Sequence, residues 1–155
     1  MTDNSLYQYK VCGLDNVWIA GVEPITDDAG EIVYSIDNYS GLHQAIARAI
    51  VWNRAGMSGK ELRFLRTELR MTQDELAQLL HKEALSVSRW ERGECPIDPN
   101  AETVIRMYAI EKLKLGKIKD IAELSKLSIS GTQSAAIMID GKDPSKYKPA
   151  KRKAA

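Results

Sequence analysis

The sequence predicts an α+β protein, in which a small antiparallel β unit comes first and a helical domain follows. Three observations carry this prediction. Residues 6–12 alternate, residues 16–22 alternate less cleanly, and residues 31–36 form a third extended run, as short strands do. Two capping boxes, at 58–61 and 72–75, mark the starts of two helices. Leucines spaced three or four residues apart then give each helix a core-facing side.

The three extended runs are expected to form one sheet. Gly13, Gly21 and residues 28–30 supply the turns between them, so we expect a three-stranded antiparallel sheet. Such a sheet is marginal alone and needs a helix packed on it. Residues 41–53 meet that need with one stripe of small and apolar side chains: Leu42, Ala45, Ile46, Ala49 and Ile50. Residues 1–54 are therefore predicted to be one module.

The helical domain is predicted to span residues 55–127, with helices at 59–70, 73–80, 84–92, 99–115 and 117–127. Gly93 is a good stop for the third helix, and Pro99 suits the first turn of the fourth. After Leu127 the composition changes to Ser, Gly, Lys and Pro. Residues 128–155 are therefore predicted to be a flexible basic tail. Two hypotheses are open for it: an arm that binds phosphates without sequence preference, or a solvated tail with no binding role. The apolar stretch 135–139 could instead add a strand or dock on a partner.

The predicted helix at 84–92 has two different sides. At about 100° per residue, Val87 and Trp90 point inward, while Ser88, Arg89 and Arg92 point outward together with Leu85. A guanidinium group can bind guanine O6 and N7 as a bidentate fork, and a leucine tip can touch a thymine methyl. This pattern favours a DNA-reading helix; a solvated face on an ordinary amphipathic helix is the alternative.

The run from Thr72 to Gly93 resembles the helix-turn-helix of Cro/repressor-like (Xre family) transcription regulators. The shared pattern is T-Q-x-E-L-A-x-x-L, a turn, and a helix ending S-R-W-E-x-G. The resemblance implies a five-helix lambda-repressor-like domain and double-stranded DNA as the partner. It implies base contacts by Arg89 and position 85, a phosphate contact by Gln73, and phosphate contacts by Lys82 and Arg92. The predicted DNA-binding set is Gln73, Lys82, Ala84, Leu85, Ser88, Arg89 and Arg92.

The overall layout is similar to that of MqsA-type antitoxins, which join an N-terminal β segment and a linking helix to a C-terminal helix-turn-helix. Those proteins hold zinc through two CxxC pairs. This chain has only Cys12 and Cys95, with His43 and His81 as the nitrogen ligands. Four zinc ligands cannot be assembled locally from these residues, so we predict no metal and no cofactor.

Charge is distributed unevenly along the 155 residues, although the net charge is only +1. Residues 1–40 hold seven acids and one base, whereas residues 101–155 hold twelve bases and six acids. DNA should avoid the first region and favour the second. The sequence shows no secretion signal and no apolar run long enough for a membrane span, and its cysteines look unpaired. These features predict a cytoplasmic protein.

The leading functional hypothesis is a homodimeric transcriptional repressor that reads a pseudo-palindrome through the helix at 84–92. The alternative is an antitoxin, whose acidic N-terminal unit neutralises a toxin while the helix-turn-helix regulates the shared operon. An enzyme is not predicted, because neither histidine lies in a recognisable nucleophile or metal arrangement and no Gly-rich phosphate loop is present.

Overall fold

The computed structural model describes residues 6–54, 56–128 and 135–150 as an α+β structure. Its strands are β1 (Tyr7–Gln8), β2 (Val17–Ala20), β3 (Pro24–Thr26), β4 (Ile32–Tyr34), β5 (Ile137–Asp140) and β6 (Lys148–Pro149). Its helices are α1 (Tyr39–Val51), α2 (Gly59–Glu68), α3 (Gln73–Leu80), α4 (Ala84–Glu91), α5 (Pro99–Leu113) and α6 (Ile121–Ser125), and a 3-10 turn at Pro144–Lys146 precedes β6. Within the described ranges, no helix is long and apolar enough to cross a membrane.

The main sheet has four strands in the order β1-β2-β5-β6. β1 and β2 are antiparallel, as predicted, but β2 and β5 are parallel, with Val17 opposite Ile137. The prediction of one three-stranded antiparallel sheet is therefore wrong. The third run, residues 31–36, contributes β4, which pairs with β3 in a separate hairpin. β5 pairs with β2 in its place, and this pairing buries Ile137 and Ile139 in the core.

The prediction of a flexible tail is wrong for residues 135–150, which form β5, the 3-10 turn and β6. The apolar stretch at 135–139 adds a strand, which was the other possibility. Tyr147 fixes the following segment, since its side chain is buried and its hydroxyl donates to the Asp37 carbonyl oxygen at 2.6 Å. The rest of the predicted tail, 129–134 and 151–155, lies outside the described residues.

Helix α1 lies at the centre of the molecule and packs against the sheet, α2 and α5. Its predicted core side is confirmed at four of five positions: Leu42, Ala45, Ile46 and Ile50 are buried, whereas Ala49 is half-buried. The helix begins at Tyr39, two residues earlier than predicted, because the Asn38 side chain accepts a hydrogen bond from the Gly41 N–H. Through α1, one continuous core joins the strands to the later helices. The proposed boundary near residue 54 stays a prediction.

The end of α1 is closed by a buried charge from α5. The Arg106 guanidinium is fully buried and donates to the carbonyl oxygens of Ile50 and Val51, at 3.1 and 2.6 Å. Glu102 balances the charge at 3.2 Å, and its other oxygen accepts the Met57 N–H at 2.9 Å. This network fixes the segment before α2 relative to α1 and α5, so α2 starts from a defined position.

The last two predicted helices differ from the structure in their faces and ends. Four residues were expected on the core side of α5, and all are only half-buried: Val104, Met107, Tyr108 and Leu113. Ile105 and Ala109, which lie one helical turn apart on a different side, are buried instead. This helix is apolar on more than one side, so periodicity does not fix its orientation. α6 begins at Ile121 and not at 117, because Asp120 caps it by accepting the Ala122 N–H.

Candidate nucleic-acid interface

Both predicted capping boxes are formed. The Ser58 hydroxyl accepts the Glu61 N–H at 3.1 Å, and the Glu61 carboxylate accepts the Ser58 N–H at 2.9 Å. Thr72 and Glu75 make the same reciprocal pair at the start of α3, at 3.1 and 3.3 Å. Each box satisfies two N–H groups that a helix start leaves without partners. The starts of α2 and α3 are therefore fixed by local sequence.

The turn between α3 and α4 depends on His81. This residue has left-handed backbone angles, φ 55° and ψ 42°, which a non-glycine side chain adopts at some cost. The reversal lets the Lys82 N–H donate to the Ala77 carbonyl oxygen at 2.9 Å, which closes the end of α3. Glu83 then precedes α4 without a side-chain cap. The turn is short, and α4 packs directly against α3.

Helix α4 has the two sides that the sequence predicts. Val87 is fully buried and Trp90 is 6% exposed, so both belong to the core beneath α3. The Arg89 side chain, one residue before Trp90, is 55% exposed, and Leu85 and Arg92 are also exposed. Ser88 is half-buried between them. The outward side of α4 thus carries two guanidinium groups, a hydroxyl and a leucine tip.

A carboxylate that the sequence analysis missed ties three helices together. Glu91, at the end of α4, accepts two hydrogen bonds from the Arg66 guanidinium of α2, at 2.6 and 2.9 Å. The Gln73 side-chain amide of α3 donates to the same carboxylate at 3.2 Å, and Arg66 also donates to the Met71 carbonyl oxygen at 3.0 Å. The pair is largely buried, and the hydrogen bond to Glu91 raises the pKa of Arg66. We call this group the Glu91 clamp.

Close packing accompanies the clamp at the same end of α4. A Cβ atom at Gly59 would collide with the Trp90 carbonyl oxygen, so only glycine allows the start of α2 to lie against the end of α4. Together, the clamp and this contact fix the angle of α4 on α2 and α3. The backbone that carries the outward side chains of α4 is therefore held in a defined position.

A comparison with known families recognises the same segment. Residues 62–107, from α2 into α5, match a family model described as helix-turn-helix. The match covers less than half of the 155 residues, and it marks this segment as a helix-turn-helix domain. A helix-turn-helix domain supports a DNA-binding regulator. The rest of the chain lies outside the match, and no curated protein and no solved structure matches the chain.

The predicted contact residues take different positions on the helix-turn-helix domain. Lys82 is exposed in the turn before α4, Leu85 and Arg89 are exposed on α4, and Arg92 is exposed directly after it. Ala84 is half-buried at the start of α4, so its methyl group packs against the core. Gln73 lies at the start of α3, where one amide hydrogen is already engaged by Glu91.

An acidic residue on this domain was also missed by the sequence analysis. Glu94 follows α4, and one of its oxygens lies 3.4 Å from Arg92 and 4.0 Å from Arg89. All three side chains are about half exposed. The carboxylate therefore lowers the positive potential at the two arginines that would meet DNA. The sequence gives a partial indication of this contact, because Glu94 follows Arg92 by two residues. The contact also depends on the chain reversal at Gly93, which spacing alone does not predict.

The helix-turn-helix domain is joined to the strand unit by His43 of α1. Its Nδ1 donates to the Glu68 carboxylate of α2 at 2.8 Å, and its Nε2 lies 2.8 Å from the Tyr9 hydroxyl beyond β1. Burial is the main reason that the pKa of Tyr9 is raised. His43 thus links three segments by hydrogen bonds. Within the described ranges, no group of three or more His, Cys, Asp or Glu side chains is placed to hold a metal ion.

Proposed function

We propose that the protein is a sequence-specific DNA-binding transcription regulator, and that it acts as a dimeric repressor reading a pseudo-palindrome through α4. The observation that carries the proposal is that two adjacent residues of α4 lie on opposite sides of the helix: Arg89 is exposed and Trp90 is buried. The match of residues 62–107 to the helix-turn-helix family supports it independently. Binding to chromosomal DNA also implies a cytoplasmic location, which is part of the proposal.

The base contacts are assigned to the outward side of α4. Arg89 is the residue that donates to guanine O6 and N7, because it is exposed and its guanidinium is fork-shaped. Leu85, four residues earlier on the same side, contacts a thymine methyl. Ser88 lies between them and is half-buried, so its hydroxyl reaches only a base or phosphate that comes close to the helix.

The backbone contacts are assigned to the flanking residues. Lys82 and Arg92 are exposed at the two ends of α4 and would bind phosphates on either side of the groove. Gln73 would donate its second amide hydrogen to a phosphate, because Glu91 accepts only one. Ala84 would contribute its backbone N–H, since the start of α4 has no side-chain cap.

A dimer follows from the size of the reading surface. One recognition helix reads about four to five base pairs, which is too little to specify a site in a genome. Two copies on half-sites about one helical turn apart would read twice as many. The symmetry of the DNA site would then reflect the symmetry of the protein.

Selection of bound sequences from a random double-stranded DNA pool tests this proposal in one experiment. The expected result is an enriched inverted repeat whose half-sites are about 10 base pairs apart, centre to centre. A single enriched half-site would contradict the dimer and leave DNA reading intact. No enrichment at moderate salt would contradict the proposed function itself.

A second role is supported by the acidic front of the chain. Residues 1–40 carry seven acids and one base, a charge that repels DNA and suits a basic protein. In this role the N-terminal unit neutralises a toxin and the helix-turn-helix domain regulates the shared operon. Co-production with the product of the neighbouring reading frame tests it, because a toxin should then co-purify and lose its toxicity.

A further inference from the structure

The β3–β4 hairpin has little contact with the body of the protein. It forms a two-stranded sheet of its own, and neither strand pairs with the four-stranded sheet. Every residue from 23 to 33 is exposed. An isolated two-stranded hairpin is marginally stable in water, so its persistence here needs an explanation.

Two sets of contacts support the hairpin despite its exposure. In the turn, the Asp27 carboxylate accepts the N–H groups of Ala29 and Glu31 at 2.9 and 2.8 Å. At the base, the Tyr34 ring stacks on Tyr7 of β1, with centroids 4.4 Å apart. The hairpin is thus held in one shape before any partner arrives, which lowers the entropy lost on binding.

The hairpin presents apolar side chains to solvent. Ile25 and Val33 are paired across the strands and are 53% and 39% exposed, while Ile32 near the turn is 69% exposed. The two paired residues point to one face, and Tyr34 lies on the opposite face with the body of the protein. Both strand edges also have backbone groups without a strand partner among the described residues. An exposed strand edge is a template for pairing with another chain, and the apolar side chains beside it add area to such a contact.

The charge around these side chains has one sign. Residues 21–37 contain five acids and no base, which gives a local net charge of −5. Among the described residues, none of these acids forms an ion pair with a lysine, arginine or histidine. An unneutralised acidic rim around an apolar strip complements a basic surface with an apolar centre.

We infer that the β3–β4 hairpin is the docking arm for a basic protein segment that lies along its strands. The segment would add an extended strand to an open hairpin edge, place β-branched or other apolar side chains on Ile25 and Val33, and place lysines or arginines opposite Glu23 and Glu31. This form of recognition uses backbone hydrogen bonds for affinity and alternate side chains for specificity. The inference rests on the second role proposed above, and it gives that role a location.

Selection from a peptide display library against the full chain tests the inference. The expected peptides alternate basic and apolar residues, and a synthetic copy of the most enriched peptide is the probe for binding measurements. Ile25→Thr with Val33→Thr should weaken its binding at least tenfold, since threonine keeps the strand preference and removes most of the apolar contact. Val11→Thr is the matched control, because Val11 is 78% exposed outside the hairpin. Binding in this control should stay within twofold.

Charge variants test the second half of the inference. Glu23→Gln with Glu31→Gln should weaken binding of the peptide probe severalfold and reduce the salt dependence of that binding. Glu111→Gln, on the exposed side of α5, is the control and should leave both quantities unchanged. Acidic or patternless enriched peptides, or equal binding by the hairpin variants, would overturn the inference. So would a homodimer that dissociates in the Ile25→Thr, Val33→Thr variant, since the occupant would then be a second copy. DNA binding of the same variants is measured in parallel, so failure of docking is separated from failure of the helix-turn-helix function.

Discussion

Replacing Arg66 by methionine should destabilise the whole helix-turn-helix domain, although Arg66 lies away from the predicted DNA surface. The change keeps the apolar stem and removes two hydrogen bonds to Glu91 and one to Met71. It leaves a carboxylate that is 4% exposed with only the Gln73 amide as partner. Breaking a fully buried pair costs about 3–5 kcal/mol, and Arg66 is partly exposed, so we expect about 2–3 kcal/mol.

Thermal unfolding followed by circular dichroism measures this loss. For a chain of this size, each kcal/mol lowers the melting temperature by about 2–4 °C, so Arg66→Met should lower it by roughly 4–12 °C. Lys60→Met is the matched control, since Lys60 and Asp15 form an ion pair whose side chains are 59% and 67% exposed. That variant should lose about 1 kcal/mol or less. If Arg66→Met were no more costly than Lys60→Met, the Glu91 clamp would not hold the domain together.

Two further predictions concern acidic residues. Glu94→Gln should tighten DNA binding by up to about fivefold at low salt, because exposed charge interactions are worth roughly 0.2–1 kcal/mol. The gain should shrink as the salt concentration rises. Fluorescence anisotropy with the selected DNA measures the affinity, and Glu111→Gln is the control. An unchanged or weaker affinity would contradict the placement of Glu94. Burial raises the pKa of Glu61 above its ordinary value, against hydrogen bonds from Ser58 and Asn16, so the folded state holds this proton more tightly than the unfolded state. The free energy of unfolding of the wild type, relative to that of Glu61→Gln, should therefore be greatest below pH about 4.3 and should fall as the pH rises through the raised pKa. Urea unfolding of both proteins at a series of pH values measures this difference. A difference that does not change with pH would refute the reasoning.

The helix starts could be predicted from the sequence because their causes are local. Ser58 and Thr72 each find their partner three residues later, and both boxes form as expected. The inward position of Trp90 also follows from spacing within one helix. The division of α4 into a buried and an outward side is thus encoded within about twenty residues, and DNA contact by the outward side stays a prediction.

The sheet could not be predicted in the same way because its pairing is distant in the chain. Val17 pairs with Ile137, and no local pattern near either residue indicates the other. Alternation marks a segment as a strand and leaves its neighbour undetermined. The hairpin shows the same limit, since residues 31–36 look like a strand of the main sheet, whereas Ile32–Tyr34 pair with β3 in a separate hairpin.

Buried charges were the other feature that sequence reasoning missed. The side chains of Arg106, Glu61 and Glu91 are buried. Their residue types are usually found on the surface, because charged side chains are rarely buried unless they are paired. Position offers a partial signal for Glu91, which follows the buried Val87 by one helical turn. Its partner Arg66 lies 25 residues earlier, on a different helix, and only the packing of α2 against α4 brings them together.

The central claim is that α4 reads DNA through Arg89, and one comparison tests it most directly. The affinities of wild-type protein and Arg89→Ala are measured at fixed salt, for the selected DNA and for a scrambled duplex. We expect the variant to lose about 1–3 kcal/mol on the selected DNA, roughly five- to 150-fold, and to lose much less on the scrambled duplex. Equal binding of the selected DNA by both proteins would contradict the assignment of this helix as the reading element.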